Sequence, residues 1–515
     1  MALTPDQVPD VAQRILAMRE REQVRLERIS AYMRGYHDSV YVPHGAKNEY
    51  KWLLRRSVVN FLPLVVSVIS ENLHVDGYLP TNPEGEVSDP AVSGSNVAGP
   101  DPADPWSIFH ANRMQARQHA LHRAVAKYGV AYTVVLPGTM AGADGSTVPQ
   151  PVIRPVSPRR LTALYADDVD DEWPVYAVEE RLIRSDKGAV RMVWLYDDEN
   201  RYTLVGKENE SALYWPGQDS SLMTAGWLDA PDAMPVIEGH GLGVCPVVRF
   251  LHDLDLDGEM DVSGEAEPLI PLQDQINTTT FNLLMAQQYA AFRQRWVTGM
   301  IPDDEDGRPR EPFRSGVDRL WVAEDSDTKF GEFNETALVP ILDAREASIR
   351  HMSTIAQVPP YHLLGAVANL SAEALAAARD GLDRKISELQ GILSEPWKQT
   401  FRLSGLAAGN EPAWKDRTST VVWRDTSARA FAATADALGK VAQMLGVPAT
   451  ELWSRIPGVS AEEVARWKAV AESQGALAEL NRLLDTQMTK GAQTTGPPDT
   501  TNPYQGPALG RPKGV

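Results

Sequence analysis

The chain has 515 residues, which is room for roughly two to four domains. Its 43% hydrophobic and 23% charged residues place most of it among globular proteins. A net charge of −19 argues against a domain that grips nucleic acid through a basic surface, and the single cysteine, Cys245, excludes an intrachain disulfide.

Residues 5–35 are predicted to form a helix capped by Thr4, with Pro5 in its first turn and a charged centre at Arg19-Glu-Arg-Glu22. Residues 49–73 read as a second helix, apolar at Trp52, Leu53, Val58, Leu62, Val65 and Ile69 and kinked at Pro63. Its stretch Phe61–Ile69 is far shorter than the roughly 20 residues of a membrane span. The N-terminus has neither the basic segment nor the apolar core of a signal peptide, so a soluble, cytoplasmically made protein is expected. Residues 80–104, rich in Pro, Gly, Ser, Asn and Asp, are expected to be a flexible loop.

A helix should follow at 105–128, opened by Pro105 and ended by Gly129, and then a buried strand from Val130 to Leu136. Residues 150–250 look β-rich, with strands at 174–183, 190–196, 201–205 and 244–251. Turn signals stand at Ser185-Asp-Lys-Gly188 and Asp197-Asp-Glu-Asn200. Cys245, inside the apolar run Val244–Val248, is expected to be a small buried hydrophobe.

From 265 the pattern becomes helical. Leu269, Leu272, Ile276, Leu283, Ala286 and Ala290 fall at three- and four-residue steps, which predicts one helix over 266–298, roughly 45–50 Å long. Residues 300–335 are a short module broken by Pro302, Gly307, Pro309, Pro312 and Gly316. It carries Arg308, Arg310, Arg314 and Arg319 among acidic residues, either a docking surface for charged partners or an ordinary mixed-charge loop. Further helices are predicted at 336–356, at 372–404 behind a Ser371 cap, and through 427–485 with breaks at Gly446-Val-Pro448 and Pro457-Gly458. The segment after 486 is expected to be disordered.

Motifs for chemistry are weak. No GxxxxGK[ST] phosphate loop is present, since Gly439-Lys440 lacks the glycine-rich turn, so an ATPase motor is not expected. Asp253, Asp255 and Asp257 begin an EF-hand-like loop, but its twelfth position is Gly264 rather than Glu. A solvated acidic loop is the plainer account, with a metal-dependent hydrolase as a remote alternative. His119 and His122 have helical spacing without a third metal ligand nearby, which favours packing over coordination. The acidic run Asp167–Glu172 lacks a catalytic partner and reads as a charged turn. No catalytic residue and no cofactor are assigned.

The order of segments nevertheless resembles the portal proteins of tailed bacteriophages, in the variant typical of phages of actinobacteria. The clearest stretch runs Glu267-Pro-Leu-Ile-Pro-Leu-Gln-Asp-Gln-Ile-Asn277, a helix, the proline-rich module, a second helix, Val358-Pro-Pro, and Asn369-Leu-Ser-Ala-Glu-Ala374. Lys51-Trp-Leu-Leu, Val75-Asp-Gly-Tyr78, Ser157-Pro-Arg-Arg160 and His240-Gly-Leu-Gly243 add to the likeness, which covers most of residues 1–485. The resemblance implies an α+β, mainly helical portal fold. Residues 1–265 would be the wing, 266–299 and 336–356 the stem helices, and 300–335 the clip. Residues 357–404 would hold the tunnel loop and a long wing helix, 405–485 the crown, and 486–515 a tail.

The implied function is a homo-oligomeric ring, expected to be a dodecamer, at one capsid vertex, through which double-stranded DNA passes without sequence specificity. Implied partners are the terminase large subunit, a head–tail adaptor, and the major capsid and scaffolding proteins. The alternative within the same class is another head–tail or minor capsid protein. Asn277, Thr280, Gln287, Gln288, His362 and Asn369 are candidates for the DNA channel. Arg308, Arg310, Arg314 and Arg319 are candidates for motor or adaptor docking. One physical point agrees with the resemblance. Two long helices joined by a compact module cannot bury all their faces within one subunit, and a closed ring of identical neighbours can cover the remainder.

Overall fold

A computed structural model of the chain describes residues 3–38, 48–81, 103–141, 147–185, 188–205, 235–254, 262–291, 295–299, 327–332, 337–365, 372–424 and 431–453, with scattered positions from 456 to 473. The chain divides into two units, Met1–Ser88 with Ala98–Phe431, and Asp89–Val97 with Ala432–Val515.

The first unit opens with α1 (Val8–Met33), which starts after a turn at Thr4–Gln7, with Pro9 rather than Pro5 in its first turn. The predicted helix over 49–73 is two helices, α2 (Asn48–Arg56) and α3 (Leu62–Glu71), because the chain breaks before Pro63, which sits in the first turn of α3. Strand β1 (Val75–Leu79) follows. The predicted 105–128 helix is also two, α4 (Pro105–Ala111) and α5 (Met114–Tyr128), separated by Arg113 at a left-handed φ of 55°. Asp104 caps α4 by accepting from the Ser107 N–H at 2.9 Å.

Gly129 ends α5 as predicted, and for two reasons. Its φ is +87°, and a Cβ there would lie 2.2 Å from the Val262 carbonyl oxygen. Strands β2 (Val130–Leu136), β3 (Thr139–Ala141), β4 (Thr147–Pro149), β5 (Val152–Val156) and β6 (Leu161–Leu164) come next. Then β7 (Tyr176–Ser185), β8 (Gly188–Tyr196), β9 (Asn200–Val205), β10 (Val236–Gly239) and β11 (Val247–Leu251) complete the β-rich stretch. Both predicted turns join antiparallel neighbours: Ser185 pairs with Gly188, and Asp197 accepts from the Glu199 and Asn200 N–H groups at 2.9 and 2.6 Å. The sheets run β10-β9-β8-β7-β6 and β11-β2-β5.

Helix α6 (Ile270–Ala291) is shorter at both ends than predicted, and β12 (Arg295–Thr298) occupies its expected last turn. Strand β13 (Lys329–Glu332) pairs antiparallel with β12 and leads towards α7 (Val339–Ala356), the short α8 (Pro360–Leu364) and the 36-residue α9 (Ala372–Ala407). After α10 (Glu411–Lys415), β14 (Thr420–Trp423) pairs antiparallel with β1. The start of the segment grouped with the crown from sequence therefore belongs to the first unit. In the second unit, α11 (Phe431–Leu445) ends at Gly446, where a break was expected, α12 (Ala449–Leu452) follows, and Trp453 meets Trp467 edge-on at 6.1 Å.

Three cores hold the first unit together. The amino-terminal turns of α1, through Val8, Ala12, Ile15 and Leu16, cover Val178, Val193, Leu195 and Tyr202 of the larger sheet. A second cluster joins Tyr132 and Val134 of β2 to Leu161, Ala163 and Tyr196. The largest is aromatic. Trp397 of α9 lies 5.7 Å from Phe109, 5.3 Å from Phe250 and 5.8 Å from Phe401. Pro396 stands inside α9, and its carbonyl accepts from the Thr400 hydroxyl at 2.8 Å. Cys245 is buried and free, and burial pushes its thiol pKa up, so it behaves as a small apolar group.

Candidate functional site

The candidate site is the pair α6 and α7 with the strands beyond them. Helix α6 runs out to β12 and α7 returns from β13, and Arg345 Nε donates to Thr280 Oγ1 across the pair at 3.1 Å. At 22 and 18 residues the helices are about 33 and 27 Å long. Nearest the body the pair is closed by Ile276, Ile349 and Met352, all in the largest core.

Two amides one helical turn apart anchor α6. Gln273 Oε1 accepts from the Phe61 N–H at 2.9 Å, and Asn277 Oδ1 accepts from the Val59 N–H at 3.1 Å. Gln273 Nε2 donates to the Val59 carbonyl and, at 3.1 Å, to Asn277 Oδ1. Asn277 Nδ2 meets His37 Nδ1 at 2.7 Å. The backbone groups left open where the chain breaks between α2 and α3 are thus satisfied from α6, which is why the break is stable away from water. Beside it, Tyr32 donates to both Asp274 carboxylate oxygens at 3.0 Å, and burial moves the tyrosine pKa up to about 12.

The channel candidates fall in unlike environments. Asn277 is 2% exposed and serves inside the subunit. Thr280 is buried as well, its hydroxyl donating to the Ile276 carbonyl at 2.7 Å. Gln287 and Gln288 are exposed on α6. His362 on α8 is half-buried, its ring tilted against that of Tyr361 at 4.5 Å, and burial, aided by Arg379, lowers its pKa. Asn369, Arg308, Arg310, Arg314 and Arg319 lie outside the described residues. Asp253 is exposed and accepts from the Leu254 N–H at 2.8 Å, while Asp255 and Asp257 lie outside the described residues. Among the described residues no group of three potential ligands could hold a metal ion.

Both helices leave side chains in water. On α7, Val339, Leu342 and Ile355 are 65%, 46% and 57% exposed, alongside a surface ion pair between Glu346 and Arg350. On α6, Asn282, Gln287 and Gln288 are exposed. At the far end Trp296 of β12 pairs with Gly331 of β13, and a Cβ on Gly331 would sit 2.3 Å from the Trp296 ring, so only glycine lets the indole lie across the strand.

Sequence reasoning did not single out Gln273, His37 or Arg345. The i,i+4 spacing of Gln273 and Asn277 was the available signal, since two amides on one helix face commonly share a partner. His122, expected to be a packing residue, is fully buried: its Nδ1 meets the Leu73 carbonyl at 2.9 Å, and Trp397 Nε1 donates to its Nε2 at 3.0 Å. Burial drives its pKa down to about 3 and that of neighbouring His74 to about 4.

The chain belongs to the phage portal protein family, whose SPP1 Gp6-like model matches residues 12–476. It is 27% identical over 420 residues to the portal protein of Mycobacterium phage D29, covering 78% of this chain and 79% of that protein. To the portal protein of Mycobacterium phage L5 it is 27% identical over 436 residues, covering 80% of this chain and 81% of that protein. Among solved structures, chains from the virion and the C12-symmetric neck of a gene transfer agent particle are 12% identical, with TM-scores of 0.39 and 0.40. Each match covers 82% of this chain and 94% of the other.

Proposed function

We propose that the chain forms a closed ring of identical subunits, twelve by expectation, at one capsid vertex, and that double-stranded DNA passes through the ring during packaging and ejection. The observation that carries this is the α6–α7 pair itself, which is rooted in the body at Ile276, Ile349 and Met352 while Val339 and Leu342, about one turn apart at the far end of α7, stay exposed. The apolar side chains of α7 stand in water in the isolated subunit, and an identical neighbour placed head to tail would cover them. The amides of α6 would then line the bore. Uncharged polar groups hold phosphates weakly and do not release counterions as lysines would, which suits a duplex that must slide.

In this reading the protein is a structural conduit without catalytic residues, and a separate terminase supplies the energy. The 300–335 module, with Arg308, Arg310, Arg314 and Arg319, would dock the terminase and later the head–tail adaptor. Scaffolding and major capsid proteins would recruit the ring in the host cytoplasm. The segment after 431 would face the capsid interior as the crown, and residues 366–371, with Asn369, would belong to the tunnel loop. Electron micrographs of the purified full-length chain test the core of this proposal. Rings with a central hole are the expected result, and monomers or open filaments at all concentrations would overturn it.

A further inference from the structure

A cleft of about 450 Å³ in the first unit is lined by Arg117 of α5, Arg154 of β5, Arg160 just before β6, and Arg181 of β7, with no acidic residue in its wall among the described residues. Beneath it, the fully buried Glu179 accepts from Arg154 Nη2 at 2.7 Å and from Arg181 Nε at 2.9 Å. One carboxylate therefore serves two guanidiniums. Arg117 and Arg160 are exposed and have no carboxylate partner among the described residues. In a chain of net charge −19, such a local excess of positive charge calls for an anion from outside.

The surroundings say what kind of anion. Leu182 and Ile183, beside Arg181, are 42% and 45% exposed, and Leu182 lines the adjoining hollow, where Arg19, Arg159, Arg160, Arg181 and Arg191 outnumber Glu20 and Glu180. Arginine interleaved with exposed aliphatic side chains is the make-up of a protein interface. A phosphate backbone needs cations only.

A matching surface stands at the other end of β6. The loop at 166–172 carries Asp167 and Asp170, both exposed, around Val169, which is 42% exposed. It is held in shape from within: Asp167 Oδ1 accepts from the N–H groups of Val169 and Asp170 at 2.9 and 3.2 Å, and Asp171 Oδ2 accepts from the Asp167 N–H at 2.8 Å. Asp168 is tied to Arg249 and Glu172 to Arg402, which fixes the two ends. A rigid tip of carboxylate and valine complements arginine and leucine in both charge and polarity. The loop contributes nothing to the lining of its own subunit's cleft.

We propose that the arginine cleft of one copy receives the acidic 166–172 loop of a second copy, an inference that rests on the ring reading above. Cleft and loop are different patches of one subunit, so the contact is head to tail, the kind that closes into a ring. Its exposed charges would orient subunits as they meet and would be screened by salt.

The test is a charge swap read by sedimentation of the full-length chain at about 0.05 M and about 0.5 M salt. Arg117→Glu with Arg160→Glu, and separately Asp170→Arg, should each weaken ring formation by about tenfold or more at low salt while leaving the monomer's circular dichroism and melting unchanged. All three changes in one chain should restore assembly, because both sides of the contact are reversed. Wild-type rings together with undiminished assembly of the single-side variants would overturn this inference and leave the ring standing. Single-side defects without rescue in the triple variant would also overturn it, since the cleft would then take another partner. A wild-type chain that never assembles would overturn the ring reading and this inference with it.

Discussion

The aromatic body and the two-helix rod solve burial in opposite ways. Around Trp397 the side chains of α4, α5, α9 and β11 converge, and Trp397 Nε1 donates to His122 within the cluster. The rod is closed only near the body, at Ile276, Ile349 and Met352, and leaves Val339, Leu342 and Ile355 of α7 to water. One region needs nothing beyond the chain. The other leaves apolar side chains exposed in the isolated subunit.

The comparison breaks most visibly at Trp397. Trp397→Ala should cost about 3–5 kcal/mol, read as a lower urea midpoint of the first unit, because the surrounding rings cannot collapse into the void. A loss below about 1 kcal/mol would mean that the body is not the self-sufficient part.

Acid should attack the same place. His122 is held neutral, with its pKa lowered by burial to about 3 from an unfolded value near 6.5. Its stabilising contribution is complete above about pH 6.5 and declines as pH falls towards 3, because the unfolded chain binds the proton first. Between pH 6.5 and 5 the loss from this group should be about 2 kcal/mol, and His74 should add to it in the same direction. Urea titrations at both pH values check this, and His122→Gln should flatten the dependence.

At the junction of body and rod, Asn277→Leu should cost about 1–3 kcal/mol, since the Val59 N–H loses its acceptor in a buried place. Urea unfolding measures it, and Asn282→Leu, at an exposed position of α6, serves as the control.

On the rod itself the expected effect on the monomer is smallest. Leu342→Lys should move subunit stability by no more than about 0.5 kcal/mol yet reduce rings in micrographs. If rings persist with Leu342→Lys and Val339→Lys together, these far-end side chains of α7 are not the covered ones. Gln288→Lys leaves the fold alone and should slow DNA transit in a packaging assay, while unchanged rates would remove the weakly binding bore.

Much of this was legible along the chain, and particular residues show where legibility ends. Gly129, the Ser185–Gly188 hairpin and the Asp197–Asn200 turn were readable because φ > 0 and side-chain-capped turns are local requirements of one or two residues. The breaks at 57–61 and at Arg113 were not, because each interrupts a helical pattern that is continuous in sequence. The break at 57–61 is sustained by partners more than two hundred residues away. Asn277 shows the same limit in the candidate site. Polarity on a helix marks a surface or a satisfied interior equally well, and only the position of Val59 and His37 decides between them.

By itself, then, the order of residues determined the helix periods, the turn chemistry, the acidic charge and the family, because these depend on neighbours within a few positions or on a pattern spread over the whole chain. The tertiary structure alone decided which amides face inward, how β14 pairs with β1 across more than three hundred residues, and which side chains of α7 are left uncovered. Those outcomes depend on long-range burial and hydrogen-bond satisfaction, which become defined only when distant segments meet.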